Sequence, residues 1–291
     1  MTDSGAAADS AISVRGLRKA YRGTVAVDGI DLEVSRGEVF SLLGPNGAGK
    51  TTTVEILEGF RRRDDGAVSV LGVDPRDAGA EWRARIGIVL QSTGEFEELS
   101  VAEVVHHFAA YYPRPDQPDA VIERVGLAEK RDARAKTLSG GQRRRLDVAL
   151  SIVGRPELLF LDEPTTGFDP QARREFWDVM RRLAEGGTTI LLTTHYLHEA
   201  ETLADRVAVI NHGKILEVGT PIALGGREQR PATVRWQALD GPRELTTDSP
   251  DKTVAELVAQ YGELPGLTVT RPTLEDVYLS MIGAAGTGEA A

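Results

Sequence analysis

Glu38–Thr53 reads EVFSLLGPNGAGKTTT, a short apolar run delivered into a glycine-rich loop. Val39, Phe40, Leu42 and Leu43 have the composition of a strand buried on both faces. The run stops at Gly44, and Gly44-Pro45-Asn46-Gly47-Ala48-Gly49-Lys50-Thr51 matches G-x-x-x-x-G-K-[ST] at every position. Glycines let the backbone wrap close to a phosphate chain, with successive N–H groups pointing inward at the start of a helix, here expected over Thr52–Phe60. Lys50 is placed to reach β- and γ-phosphates, and the Thr51 hydroxyl to ligate Mg²⁺. A ligand-free turn has no need of strand, loop, Lys-Thr pair and helix in this order. The stretch predicts a nucleoside-triphosphate site.

At 291 residues the chain is long enough for one large domain and a small one. Its 41% apolar and 27% charged residues are ordinary for a soluble globular protein, and no apolar run approaches the roughly eighteen residues of a membrane span. Residues 1–11, MTDSGAAADSA, have neither a basic nor an apolar signal region, so a disordered tail and a cytoplasmic chain are expected. The absence of cysteine excludes disulfides and thiolate metal sites. A net charge of −10 argues against nucleic acid or anionic lipid as the main partner. The runs Arg61–Arg63 and Arg143–Arg145 are short enough to read as solvated faces.

In chain order, Ile12–Val34 reads as antiparallel strands with turns at Arg22-Gly23 and Asp28-Gly29. Tyr21, in the first turn, either packs locally or stacks on a base. Gly66–Val73 reads as a short strand pair. Ile86–Leu90 is a buried strand ending on Gln91, which either faces the crevice beyond the strand ends or starts a polar loop. A helical insert is expected from about residue 92 to 154, opened by the capping box Ser100–Glu103. Inside it, Ser139 reads as an N-cap and Gly140-Gly141 leave helix N–H groups uncovered, a second anion site. Arg143–Arg145 then oppose the helix dipole, which a phosphate at the helix start would offset. Leu158–Pro164, LLFLDEP, is an apolar strand ending in two carboxylates. With a phosphate loop upstream, Asp162 is expected on Mg²⁺ and Glu163 on the attacking water. Thr188–Thr194 is the next buried strand, and His195 at its end either meets a γ-phosphate or caps the surface. A hairpin around Gly213 closes this part. From Pro221 strands at Thr233–Leu239 and Leu267–Thr270, a helix at Thr253–Tyr261 and a last helix from Leu274 read as a small α/β appendage.

Taken together the chain resembles the nucleotide-binding subunits of the ATP-binding-cassette family over roughly Ile12–Thr220. The matching elements are GPNGAGKT (Walker A), Gln91 (Q-loop), LSGGQ at 138–142 (signature), LLFLDEP (Walker B) and His195 (switch histidine), in family order. LSGGQ is the specific item, since other P-loop ATPases lack it. The resemblance implies an α/β fold, a P-loop NTPase core with a small antiparallel β subdomain and a helical insert (12–220), a C-terminal α/β domain (221–283) and a loose tail (284–291). It implies that Gly44, Pro45, Asn46, Gly47, Ala48, Gly49, Lys50, Thr51 and Thr52 hold ATP and that Tyr21 stacks on adenine. Mg²⁺ is assigned to Thr51, Gln91 and Asp162, and hydrolysis to Glu163, His195 and Gln91. Ser139, Gly140, Gly141, Gln142 and Asp169 are expected to meet the ATP of a second copy in a head-to-tail homodimer. Phe168 stands where many members have leucine, which makes that loop bulkier at the dimer contact. The end RPTLEDVYLSMIG, residues 271–283, looks like that of cassettes serving drug, antibiotic or lipid-linked exporters.

The expected function is an ATPase subunit energising export through a separately encoded transmembrane permease, on the inner face of the cell membrane. Ser92–Leu99 is the expected docking segment, with an exposed Phe96 rimmed by Glu95, Glu97 and Glu98. A DNA- or ribosome-acting ATPase is the competing class, but the long heptad insert or second cassette of such members is missing. A nucleotide-sensing regulator is a third, disfavoured by intact Lys50, Glu163 and His195.

Overall fold

The computed structural model describes residues 10–89, 96–238 and 240–286. Strands β1 (Ser10–Tyr21) and β2 (Thr24–Ser35) form a hairpin whose two turn residues, Arg22 and Gly23, have φ of 44° and 92°. Such a turn matches the twist of the strands it joins. The second expected turn, Asp28-Gly29, is not one. Leu17 pairs with Ile30 and Arg18 with Asp28, so Gly29 (φ 75°) is an unpaired bulge inside β2.

The chain continues through β3 (Val39–Leu43), α1 (Lys50–Leu57), β4 (Asp65–Val70), α2 (Ala80–Arg83) and β5 (Ile86–Val89). Gly66–Val73 is one strand and a tight return, not a strand pair: β4 lies on β1, and Val73 only bridges back to Val70. The helical insert holds α3 (Val101–Ala109), α4 (Pro118–Arg124) and α5 (Gly140–Ile152). Then come β6 (Leu158–Asp162), α6 (Pro170–Glu185), β7 (Thr189–Thr194), α7 (Leu197–Leu203), β8 (Arg206–Asn211) and β9 (Lys214–Gly219).

The central sheet has the order β5-β6-β7-β3-β8-β9, and its first five strands in that order, β5-β6-β7-β3-β8, pair in parallel. Alternate side chains of its inner strands feed two cores. Phe40, Leu42, Phe160 and Leu191 pack towards α1 and the β2-β1-β4 sheet. Val39, Leu159, Leu161, Ile190 and Leu192 pack with α5, α6 and the insert helices. Burial on both faces is why these strands read as unbroken apolar runs. Burying a Leu or Phe of this kind contributes about 1.5–3 kcal/mol.

One compact unit ends at Leu216 and a second begins at Glu217. The second unit holds the sheet β11-β10-β12, made of β10 (Ala232–Ala238), β11 (Gly241–Thr247) and β12 (Thr268–Thr270), with α8 (Pro250–Tyr261) on β10 through Val234, Trp236 and Leu257. Helix α9 (Leu274–Gly286) lies so close to the turn at Gly225 that a Cβ there would sit 2.2 Å from Val277.

Candidate nucleotide-binding and active site

β3 ends at Leu43 and the loop leaves between the ends of β7 and β8. Gly44 N donates to Thr194 O at 3.4 Å, and a Cβ on Gly44 would fall 2.3 Å from Ile210 O. Gly49 has φ 104°, and a Cβ there would meet Ala26 O at 2.4 Å. No side chain larger than hydrogen fits either position. The far wall is equally fixed, since Gly213 N donates to Ala48 O (2.9 Å) and Gly213 O accepts from Asp28 N (2.8 Å).

Lys50 opens α1 and is 5% exposed, so its ammonium needs partners inside the protein. Its Nζ donates to Gly44 O (2.8 Å) and Pro45 O (3.2 Å) and lies 3.3 Å from Glu163 Oε1. Glu163 Oε2 lies 3.2 Å from His195 Nδ1, though without the alignment of a hydrogen bond. The structure therefore gathers Lys50, Glu163 and His195, which are far apart in sequence, around one carboxylate. Glu163 has φ 43°, and its N–H is held by Thr193 through both the carbonyl (3.2 Å) and the hydroxyl (3.1 Å). The same Thr193 hydroxyl donates to Asp162 Oδ1 at 2.5 Å. Thr193 was missed in the sequence, where it is one threonine of several in TTILLTT. Glu58, at the end of α1, is pushed up to about 8 by burial, with Asp162 and Glu55 adding to the effect.

Thr51 is exposed on the first turn of α1. Its hydroxyl and the Asp162 carboxylate are hard oxygen donors, which fit Mg²⁺, an ion that takes few protein ligands beside substrate phosphates. Gln91, assigned to both metal and chemistry, lies outside the described residues.

Tyr21 ends β1, and Ala26, two residues beyond its hairpin partner Thr24, abuts Gly49, so the hairpin end stands beside the loop. Its ring is already engaged by two cations, with Lys19 Nζ and the Arg61 guanidinium each 5.3 Å from the ring centre.

The signature segment is a reciprocal cap. Ser139 Oγ accepts from Gln142 N (3.3 Å), and Gln142 Oε1 accepts from Ser139 N (3.0 Å). Asp169 likewise caps α6, its Oδ1 accepting from Gln171 and Ala172 N–H, both at 2.9 Å. Phe168 turns inward, its ring edge-on to Phe176 at 5.9 Å, so the bulk at this loop goes into the chain's own core.

Two expectations need correcting. Arg143–Arg145 are neither a solvated face nor a phosphate clamp. Arg143 reaches Glu97 (3.4 Å), Arg144 is buried and donates to Asp162 O (3.1 Å), and Arg145 pairs with Glu175 (3.0 Å). Burial pushes the Arg144 guanidinium below its usual range, opposed by Asp147, Asp162 and Glu199. Phe96 is not exposed but half-buried, with its ring edge-on to Phe108 at 5.3 Å, and residues 92–95 of the expected docking segment, Glu95 among them, lie outside the described residues. Glu98, from its expected rim, pairs with Lys136 (2.7 Å) and Arg134 (3.2 Å).

A parallel sheet with a lysine-bearing phosphate loop, and an acidic strand end facing that lysine, defines a P-loop nucleotide-hydrolysing enzyme. Comparison with known proteins narrows the class. The ABC transporter family pattern matches residues 27–166. The chain is 48% identical to the daunorubicin/doxorubicin resistance ATP-binding protein DrrA of Streptomyces peucetius, over 94% of this chain and 92% of that one. It is 38% identical to the Nod factor export ATP-binding protein I of Ralstonia nicotianae, over 94% of each. Among solved structures, cbiO1 of Clostridium perfringens, part of the ABC transporter complex cbiONQ, is 30% identical with a TM-score of 0.68, over 74% of this chain and 90% of that one. The chain belongs to the ATP-binding proteins of ABC transporters and is an ATPase of that family.

Proposed function

We propose that this chain hydrolyses ATP to drive export through a membrane-spanning partner carried on a separate chain. The observation that carries the reading is the Glu163 carboxylate held between Lys50 and His195 at the mouth of the phosphate loop. The loop and Lys50 bind the β- and γ-phosphates. Glu163 orients a water and takes its proton as the water oxygen bonds to the γ-phosphorus. The bond from that phosphorus to the β–γ bridging oxygen breaks, and ADP leaves with the electron pair. His195 stands beside the Glu163 carboxylate and donates to the γ-phosphate. Mg²⁺ held by Thr51 and Asp162, with Gln91, would neutralise charge on the β- and γ-oxygens. Export is supported by the relatives, which are named for drug resistance and Nod factor export. Among the described residues no helix is long and apolar enough to cross a membrane. The proposed partner supplies the spans and holds this chain at the inner face of the cell membrane. Exposed Ser139 and Gly140, with half-buried Gly141 behind them, and the exposed Asp169 loop suit a head-to-tail dimer, each meeting ATP bound by the second copy. The net charge of −10 favours this over a nucleic-acid partner.

Glu163→Gln tests the reading. It should leave ATP affinity within about three-fold and slow single-turnover hydrolysis by roughly 10²–10⁴. Lys50→Ala should instead weaken ATP binding itself. Near-normal turnover in Glu163→Gln would remove that residue from the chemistry.

A further inference from the structure

The segment after β7 places two contacts on one short stretch of chain. His195 reaches Glu163, and four residues later Glu199, in the first turn of α7, reaches Thr165. Glu199 is fully buried, and so is Thr165. The Glu199 Oε1 accepts from Thr165 Oγ1 at 2.9 Å and from the Trp177 indole N–H at 3.2 Å. Its Oε2 has no hydrogen bond among the described residues. A buried carboxylate is an expensive way to hold a helix of seven residues that already seats Ala200 and Leu203 in the interior. The charge has a counterpart in buried Arg144 of α5, which is coupled electrostatically to Glu199 and donates to the carbonyl of Asp162. Buried side chains thus tie the strand end bearing Asp162 to the helix that begins at LSGGQ, through Arg144, and tie the stretch after Glu163 to the helix that follows His195, through Thr165 and Glu199.

We propose that Glu199 is a positioning residue for hydrolysis. By accepting from Thr165 on one side and from Trp177 of α6 on the other, it fixes the stretch from Glu163 to Asp169 against α7. The Glu163 carboxylate then stays between Lys50 and His195, and the Asp169 loop keeps its place beside α5. Glu199 touches no reacting atom. The inference deepens the site proposed above and rests on Glu163 acting in hydrolysis.

The test uses the full chain, with ATP affinity measured by equilibrium binding beside kcat and KM for ATP hydrolysis. Thr165→Val keeps side-chain shape and removes the donor, while Thr165→Ser keeps the donor. Thr165→Val should leave ATP affinity within about two-fold and lower kcat roughly ten-fold, the effect of one lost buried hydrogen bond. Thr165→Ser should restore kcat. Glu199→Gln retains the acceptor but loses the buried charge, and should lower kcat by roughly three- to ten-fold at unchanged affinity. A residue that only staples α7 would lower the melting temperature and leave kcat alone, and that result overturns the proposal. So does a parallel fall of affinity and kcat. Glu163→Gln in the same assay separates the two readings. A normal rate there sinks the role given to Glu163, whereas a slow Glu163→Gln beside normal Thr165→Val and Glu199→Gln sinks only the role given to Glu199.

Discussion

Two glycine-rich turns each open a helix in this chain, and they are built on opposite plans. At Gly44 and Gly49 the protein leaves no room, since added Cβ atoms would meet backbone carbonyls of Ile210 and Ala26, whereas Gly47 between them, at φ 80°, faces open space. Helix α1 has no side-chain cap, so its first N–H groups remain available to a phosphate. At Ser139 and Gly140 the walls are missing. Gly140 faces open space, while an added Cβ on half-buried Gly141 would lie 2.7 Å from Ala172 Cβ and 3.7 Å from its Cα. The cap of α5 is completed by its own Ser139 and Gln142. The first turn is walled by backbone at both its ends, Gly44 and Gly49. The second is satisfied locally and presents Gly140 outward, as the proposed head-to-tail pairing requires. Rigidity at one and exposure at the other follow from whether backbone or solvent lies beyond the Cα.

The sharpest way to break this contrast is to add one methyl group to each turn. Gly49→Ala forces a Cβ against the Ala26 carbonyl at positive φ, and should abolish ATP binding or cost the fold roughly 3 kcal/mol or more. Gly140→Ala should leave the melting temperature and ATP affinity of the free chain unchanged. Equal losses in the two variants would end the comparison. A smaller effect is expected from the cap. Ser139→Ala should destabilise by about 1 kcal/mol, read by denaturant unfolding, and leave ATP affinity of the free chain unaltered. A loss of affinity in that chain would mean that the second turn serves its own nucleotide. The smallest effect belongs to a control remote from both turns. Arg85, first, and Arg36 hold the Glu157 carboxyl at about 2, below its ordinary 4.5. The stabilisation from a lowered carboxylate is complete above the unfolded value and is lost as pH falls towards the folded one. Glu157→Gln should therefore lower stability at pH 7 by about 1 kcal/mol at most, since the pair is partly exposed. The gap should close as the pH drops below about 4.5. A gap independent of pH would remove the ion pairs as its cause.

What could be read from the sequence was what burial writes uniformly. Val39–Leu43, Leu158–Leu161 and Thr189–Thr194 lie inside on both faces, so composition alone marks them. The phosphate loop was legible because its glycines answer to local sterics. Helix α7 was missed, being short and carrying a buried glutamate that breaks its apolar pattern. So was β11, whose GPRELTT is half-exposed and largely polar. The bulge at Gly29 looks like a turn because both need positive φ, and only the pairing partner tells them apart. The partners of Arg143–Arg145 lie up to 46 residues away, beyond any local pattern. Thr193 became visible only once β6 and β7 were paired.

The backbone at Glu163 has one more consequence. A residue with β-carbon substituents at φ 43° gives up about 1–2 kcal/mol that glycine, or in part asparagine, would recover. Gly or Asn would relax this position and delete the carboxylate between Lys50 and His195, and Asp would draw it back by one methylene. A sequence chosen for the stability of this backbone would therefore drift to glycine at 163, becoming sturdier and losing the carboxylate proposed to act on water. The glutamate is there against the preference of its own main chain, so under the proposed mechanism position 163 is where optimising the fold and optimising the catalyst part company.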